Sequence, residues 1–207
     1  PDPPPATDPW LLVLWENVAY LADDDRRRAA LRELRRRVGT RPADILAASD
    51  DDLLEAAGHG IMPENQVRKL RRCAEIAAEQ FDGDLRPVLT LPPAKAKKAL
   101  GKFPGVGEPG AEKVLLFTRT VPALALESNG LRVLVRLGFA DEQPNYAATY
   151  RRVRAAVDPA APRDYDWLIA AHQLLRRHGR EVCRRSRPAC GDCPLADGCA
   201  YHQRGGE

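Results

Sequence analysis

Apolar residues recur at helical spacing along most of this 207-residue chain, and this periodicity constrains the fold more than any other feature. The clearest stripe lies between Asn65 and Phe81, where an apolar or small side chain returns every three or four positions. Further helical patterns cover 26–38, 131–137, 146–157 and 164–178, and a largely apolar segment covers 10–22. No segment alternates convincingly as a half-buried strand does. The sequence therefore predicts an all-α fold.

Composition excludes several classes of protein. Hydrophobic residues make up 44% of the chain and charged residues 29%, which is typical of a globular protein. No apolar run approaches the ~20 residues that span a bilayer, and the Pro-rich, acidic start at 1–9 does not resemble a secretory signal. We therefore expect a cytoplasmic protein, associated with the nucleoid if it is bacterial. The 32 Lys and Arg residues nearly balance the 29 Asp and Glu residues, so net charge alone does not identify a nucleic-acid partner.

Four of the five cysteines lie close together near the end of the chain, at Cys183, Cys190, Cys193 and Cys199. Nothing in the sequence suggests export, which argues against disulfides. Four thiolates suit a tetrahedral zinc ion, although zinc sites more often use two C-x2-C pairs and only one is present. They equally suit a [4Fe–4S] cluster, so the residues alone leave the two metals open. Cys73 lies on the apolar stripe of a helix and is predicted to be a core residue.

Two helical patterns meet around the segment FPGVG at 103–107. Glycines at 105 and 107 permit a positive φ and the close approach of another backbone. Their amides would lie at the start of the second helix, where the helix dipole favours an anion. A tight turn without any ligand explains the same residues equally well.

Together these features resemble the helix-hairpin-helix DNA glycosylase superfamily that includes endonuclease III and the adenine glycosylase MutY. The FPGVG segment with Ala111 resembles its hairpin signature, and the spacing of the four cysteines resembles its iron–sulfur loop. The segment LESNGLRV at 126–133 falls where that family carries its catalytic carboxylate. The resemblance covers residues 10–201, and it favours a [4Fe–4S] cluster over zinc.

The resemblance implies two helical domains flanking a DNA-binding cleft. Residues 23–122 would form a six-helix barrel with the helix-hairpin-helix, and residues 1–22 with 123–207 would form the cluster domain. The expected partner is duplex DNA with a damaged or mismatched base, which is flipped out of the stack for excision. We expect a monomer with no membrane association.

The chain departs from the family pattern at two catalytic positions. Bifunctional members carry a lysine nucleophile two residues after the second hairpin glycine, and this position is Pro109. The family carboxylate is usually Asp, and Glu127 stands in its place. The resemblance therefore implies a monofunctional DNA N-glycosylase with Glu127 as its catalytic acid. A catalytically impaired damage-binding protein, in which Glu127 only caps a helix, is the alternative, and a zinc-stabilised helical interaction module is a third.

The same resemblance implies a set of DNA contacts. Hairpin amides would hold a phosphate, a residue near 20 and a second turn near 61 would fill the gap left by the flipped base, and cationic side chains would contact other phosphates. The predicted residues are Gly105, Val106, Gly107, Lys102, Tyr20, Ile61, Met62, Arg184 and Arg187. For Tyr20, ordinary core packing is the competing explanation.

Overall fold

The computed structural model describes residues 4–19, 22–58 and 60–206, and every regular element among them is a helix. The predicted all-α class is thereby confirmed. The chain forms two compact units, one of them Pro4–Val121 and the other the part from Pro122 onward. None of the described helices is long and apolar enough to cross a membrane. Tyr20 lies outside the described residues, so its predicted role is not addressed by the structure.

Among the described residues, the first unit contains seven α-helices. They are α1 (Pro9–Asn17), α2 (Asp24–Arg37), α3 (Pro42–Ala47), α4 (Asp50–Ala57), α5 (Pro63–Phe81), α6 (Pro93–Leu100) and α7 (Glu108–Phe117), with a 3-10 helix at Arg86–Thr90. Helix α5 buries the predicted stripe, since Val67, Leu70 and Ala77 are almost completely inaccessible. Helices α1, α3 and α4 pack against it, and α1 also contacts α7. This arrangement places the end of α1 beside the turn between α6 and α7.

Helix α1 groups with the first unit, whereas the family resemblance implied that residues 1–22 belong to the cluster domain. The indole Nε1 of Trp10 donates to the Thr40 carbonyl at 2.6 Å, and the Trp10 ring lies 6.4 Å from the Phe103 ring. The side chain of Asn17 donates to the Pro104 carbonyl at 2.8 Å. These contacts give α1 its partners within Pro4–Val121, so the predicted boundary differs from the observed grouping at this end of the chain.

The second unit is built on α8 (Ser128–Leu137), α9 (Tyr146–Val157) and α10 (Tyr165–Glu181). Two 3-10 turns at Cys190–Asp192 and Ala196–Gly198 lead to the short α11 (Ala200–Gln203). Helices α8 and α10 pack closely, because Gly179 of α10 has no side chain at the contact. A Cβ on Gly179 would lie 2.5 Å from the Asn129 carbonyl oxygen. The contact fixes α10 against the first turn of α8.

Candidate functional site

The hairpin turn (residues 101–107) joins α6 to α7 in the first unit. Gly105 has a φ of +76°, a conformation that other residues adopt at a cost. The amide of Val106 donates to the Phe103 carbonyl at 3.1 Å, and the Val106 side chain is fully buried. Gly107 is the N-cap of α7. Val106 therefore anchors the turn from inside, and its amide is already engaged there.

Asn17 fixes the hairpin turn from the end of α1, a role that the sequence did not indicate. Its side chain is 1% exposed, and its Nδ2 donates both to the Val13 carbonyl at 3.0 Å and to the Pro104 carbonyl at 2.8 Å. A Cβ on Gly105 would lie 2.7 Å from Asn17 Oδ1, closer than real Cβ atoms come to a neighbour. Two independent constraints therefore favour glycine at position 105: its positive φ and the close approach of Asn17.

Charged groups on and beside α7 are paired within the first unit. Lys113 lies one helical turn after Pro109, and its Nζ is 2.7 Å from Glu16 Oε1, with both side chains only 14% exposed. Lys102 donates from Nζ to Gln80 Oε1 at 2.8 Å and lies 5.9 Å from the centre of the Phe81 ring. The position that the resemblance assigns to a nucleophile is Pro109. The nearest lysine on α7 is Lys113, which is paired with the Glu16 carboxylate.

Ile61 and Met62, the residues predicted to fill the gap left by the flipped base, lie immediately before α5. We call these two residues the wedge. Ile61 is 52% exposed and Met62 53% exposed, so both side chains are accessible to a partner. Met62 adopts the left-handed conformation, with a φ of 55°, and is the N-cap of α5. The chain therefore presents two adjacent apolar side chains at a tight turn.

Glu127 is the N-cap of α8 in the second unit. Its Oε1 accepts from the backbone amides of Asn129 at 2.8 Å and Gly130 at 3.0 Å, and its Oε2 accepts from Asn129 Nδ2 at 2.9 Å. The segment before it is held by two side chains, since Arg154 Nη1 donates to the Leu124 carbonyl at 2.6 Å and His172 Nδ1 contacts the Ala125 carbonyl at 2.8 Å. The carboxylate consequently has a defined orientation at a helix N-terminus.

Further contacts join the start of α8 to the end of α10. Arg132 donates to Asn129 Oδ1 at 2.8 Å, to the Gly179 carbonyl at 2.6 Å and to the Cys183 carbonyl at 3.0 Å. Burial lowers the pKa of the Arg132 guanidinium. Arg132 thus holds the Asn129 side chain, which in turn donates to Glu127. The sequence signal for this role was the helical i, i+3 spacing of Asn129 and Arg132.

The four C-terminal cysteines all have free thiols and line a single pocket in the second unit. We call residues 183–199 the cysteine loop. Apolar residues complete the pocket, among them Val133, Leu137, Val182 and Leu195. Within the described residues, no group of three or more His, Cys, Asp or Glu side chains is arranged to hold a single metal ion. Cys73 is fully buried in the first unit, as predicted, and burial raises the pKa of its thiol to about 12.

Nitrogen donors approach the sulfurs of the cysteine loop. Arg136 Nη1 lies 3.4 Å from Cys183 Sγ, and the amide of Leu195 lies 3.4 Å from Cys193 Sγ. Arg136 also donates to the carbonyls of Arg184 at 2.7 Å and Arg185 at 3.0 Å. Such donors suit negatively charged thiolates, and N–H···S bonds are a regular feature of iron–sulfur sites. The donor set therefore fits a thiolate-bound cluster.

The two predicted phosphate contacts of the cysteine loop are exposed. Arg184 and Arg187 both lie on its surface, and Arg187 has a φ of +50°. The carbonyl of Arg184 accepts from Arg136, and the residue is exposed. Both cations are thus available to an external anion.

No protein-family model matches the chain, whereas individual relatives do. Endonuclease III of Rickettsia prowazekii is 34% identical over 105 residues, which are 51% of this chain and 46% of that protein, so the chain matches about half the length of this relative. Endonuclease III of Thermotoga maritima is 24% identical over 201 residues, covering 97% of this chain and 87% of that protein. The structure of a trapped endonuclease III–DNA covalent intermediate superposes with a TM-score of 0.76 at 22% identity, covering 97% of this chain and 87% of that one.

Proposed function

The chain resembles the helix-hairpin-helix DNA glycosylase superfamily in sequence and in fold, and on this premise we propose that it is a DNA base-excision repair glycosylase. It acts on a damaged or mismatched base that is flipped out of duplex DNA. It is monofunctional, hydrolysing the N-glycosidic bond without cleaving the strand. The observation that carries the chemical part of this proposal is the fixed carboxylate of Glu127.

Glu127 keeps one acceptor position for the reaction. A carboxylate offers about four lone-pair sites, and three of them accept from the two amides and the Asn129 side chain. The remaining site, on Oε2, accepts a hydrogen bond from water. As the bond to the base breaks, its electron pair leaves with the base and positive charge develops on the sugar. The carboxylate stabilises that charge and takes a proton from the water, whose oxygen bonds to C1′.

The helix cap and the catalytic role are compatible on this view. Catalytic groups work best when they are oriented before substrate binds, because reorganisation then costs nothing during the reaction. The cap supplies that orientation. It also compensates for the extra methylene of Glu, since the helix N-terminus, not the side-chain length alone, decides where the carboxylate lies.

Two residues of α7 support the proposal that no Schiff base forms. Pro109 has no amine to attack C1′. Lys113 Nζ is engaged by Glu16 at 2.7 Å, which holds it in an ion pair instead of leaving it to attack C1′. Sodium borohydride is therefore expected to trap no covalent adduct between this protein and damaged DNA.

DNA binding is assigned to features of both units. The amides of Gly105 and Gly107, at the positive end of the α7 dipole, bind one phosphate. Ile61 or Met62 enters the space left by the flipped nucleotide. Arg184 and Arg187 bind further phosphates. Lys102 adds positive charge beside the hairpin turn when it is released from Gln80.

Cys183, Cys190, Cys193 and Cys199 are proposed to hold one [4Fe–4S] cluster. When bound, the cluster would act as a structural cross-link among the four thiolates. The residues around it keep the cysteine loop in one conformation, with Arg136 fixing the carbonyls of 184 and 185. Purified protein is expected to be brown rather than colourless, which separates this cluster from zinc.

Replacing Glu127 by Gln tests the proposed chemistry. The amide keeps the size of the side chain and loses its charge and basicity, so base release is expected to fall ~10²-fold or more. The assay uses a panel of duplexes with single lesions, treated with and without hot alkali, and lesion binding is measured in parallel. Strand breaks that appear only after alkali indicate a glycosylase without lyase activity.

The catalytically impaired binding protein is the second candidate, and the three bonds made by Glu127 are what favour it. If the parent and the E127Q variant release base equally slowly while binding the lesion, Glu127 is only a helix cap. The E127D variant separates the two cases further. A site built for Glu is slowed by the shorter side chain, whereas an impaired glycosylase gains activity from it.

A further inference from the structure

Helix α5 carries a polar, basic stripe that the proposed function does not use. Asn65, Arg68, Lys69 and Arg72 are spaced i, i+3, i+4 and i+7, so they share one side of the helix. Arg68 and Arg72 are exposed, in contrast to the buried stripe on the other side. Three cations within two helical turns produce a strong local positive potential.

This stripe forms one wall of a groove of about 400 Å³ in the first unit. Met62 and Pro104 of the hairpin turn also line the groove. Its inner surface includes Gln66, whose side chain is 2% exposed. The basic stripe is therefore continuous with two features already assigned to DNA, the exposed wedge and the phosphate-binding turn.

We propose that this groove binds the sugar–phosphate backbone of one DNA strand, running between the wedge at Met62 and the hairpin turn. The inference rests on the proposed function, because it extends the same binding surface. Arg68 and Arg72 bind successive phosphates, and Lys69 contributes charge from between them. The side-chain amide of Asn65 adds a neutral donor at the wedge end.

The chemistry of the groove favours a polyanion over an apolar ligand. Its polar lining consists of guanidinium, ammonium and amide groups, and guanidinium matches phosphate geometry with paired donors. Arg72 does form an ion pair with Glu75 at 2.9 Å, and Arg68 bonds to Asn65. Both contacts are at the surface, where such pairs contribute little to stability and exchange readily for a phosphate.

The test compares two double variants of the full chain. R68A/R72A removes two cations from the groove, and R32A/R35A removes two exposed cations from α2 in the same unit, so the net charges are equal. Binding to a duplex with one stable abasic-site analogue is measured over a series of salt concentrations. Loss of two phosphate contacts makes the slope of log K against log salt shallower by about 1.8, at about 0.9 per phosphate. R32A/R35A is expected to keep the parent slope.

A charge-preserving variant and the parent complete the design. R68K/R72K retains point charges and is expected to keep most of the slope while weakening binding, because lysine lacks the paired donors. If the parent shows no salt-dependent binding, the proposed function fails. If the parent binds and R68A/R72A behaves like R32A/R35A, the groove inference fails while the proposed function stands.

Discussion

The conformation of the hairpin turn depends on Asn17 of α1, which bonds to Pro104 from 87 positions away in the sequence and lies against Gly105. We expect Gly105→Ala to cost about 1–2 kcal/mol from its positive φ alone, with an added clash against Asn17 Oδ1. Asn17→Ala removes the hydrogen bonds to the Val13 and Pro104 carbonyls, at about 1 kcal/mol each. In the double variant the clash is absent, so the combined loss of unfolding free energy is smaller than the sum.

Urea unfolding of the parent, the two single variants and the double variant measures this coupling. Additive losses would show that Asn17 and Gly105 act independently. DNA affinity measured on the same variants is expected to decrease, because both substitutions disturb the hairpin turn that carries the Gly105 and Gly107 amides.

Individual residues were predictable from the sequence where a local pattern specified them. Gly105 and Gly107 were identified from the turn, and the alternative interpretation of Glu127 as a helix cap described its place at the start of α8. Asn17 was not identified as the partner of Pro104, because hydrogen bonds between distant segments leave no periodic signal. The same limit applies to Arg136, whose bonds to the cysteine loop span 48 and 49 positions.

At the scale of elements, hydrophobic periodicity predicted the long helices and missed α3 and α4. The pattern at 65–81 corresponds to α5 at Pro63–Phe81, and the predicted segment at 146–157 is α9. Helices α3 and α4 have six and eight residues, too few turns for a stripe to be recognised. The acidic run at 50–52 is the first turn of α4, capped by Ser49, where negative charge is favourable. Charge placement would have located this helix where periodicity did not.

The cysteine loop is the element whose structure depends most on its ligand. Cys193→Ser removes one of four proposed thiolates, so the purified variant is expected to lose its visible absorbance and its iron. Cys73→Ala is the matched control, because Cys73 is buried in the other unit. The measurements are the visible spectrum and the iron content per chain. Loss of colour in C73A with its retention in C193S would overturn the ligand assignment.

On the scale of the whole molecule, the chain consists of two units, each with a buried core of its own. Leu12, Leu70 and Leu115 are buried in the first unit, and Leu131, Tyr150 and Leu168 in the second. The resemblance to the glycosylase superfamily implied a division near 122, and the two units divide between Val121 and Pro122. It placed α1 with the cluster domain, whereas α1 groups with Pro4–Val121, and the apolar pattern of α1 alone does not specify which core buries it.

Because the two units have separate cores, we expect loss of the cluster to destabilise the second unit more than the first. Arg132 and Arg136 tie the cysteine loop to α8 through the carbonyls of Cys183, Arg184 and Arg185. Once the loop is released in the C193S variant, these bonds no longer hold a fixed partner, so α8 and the end of α10 should open more often. Amide hydrogen exchange there is expected to accelerate at least tenfold, equivalent to about 1.4 kcal/mol. Helices α5–α7 should keep the protection of the parent, because they lie within Pro4–Val121. Acceleration of equal size in α5 and α8 would show instead that the two units open as one cooperative body.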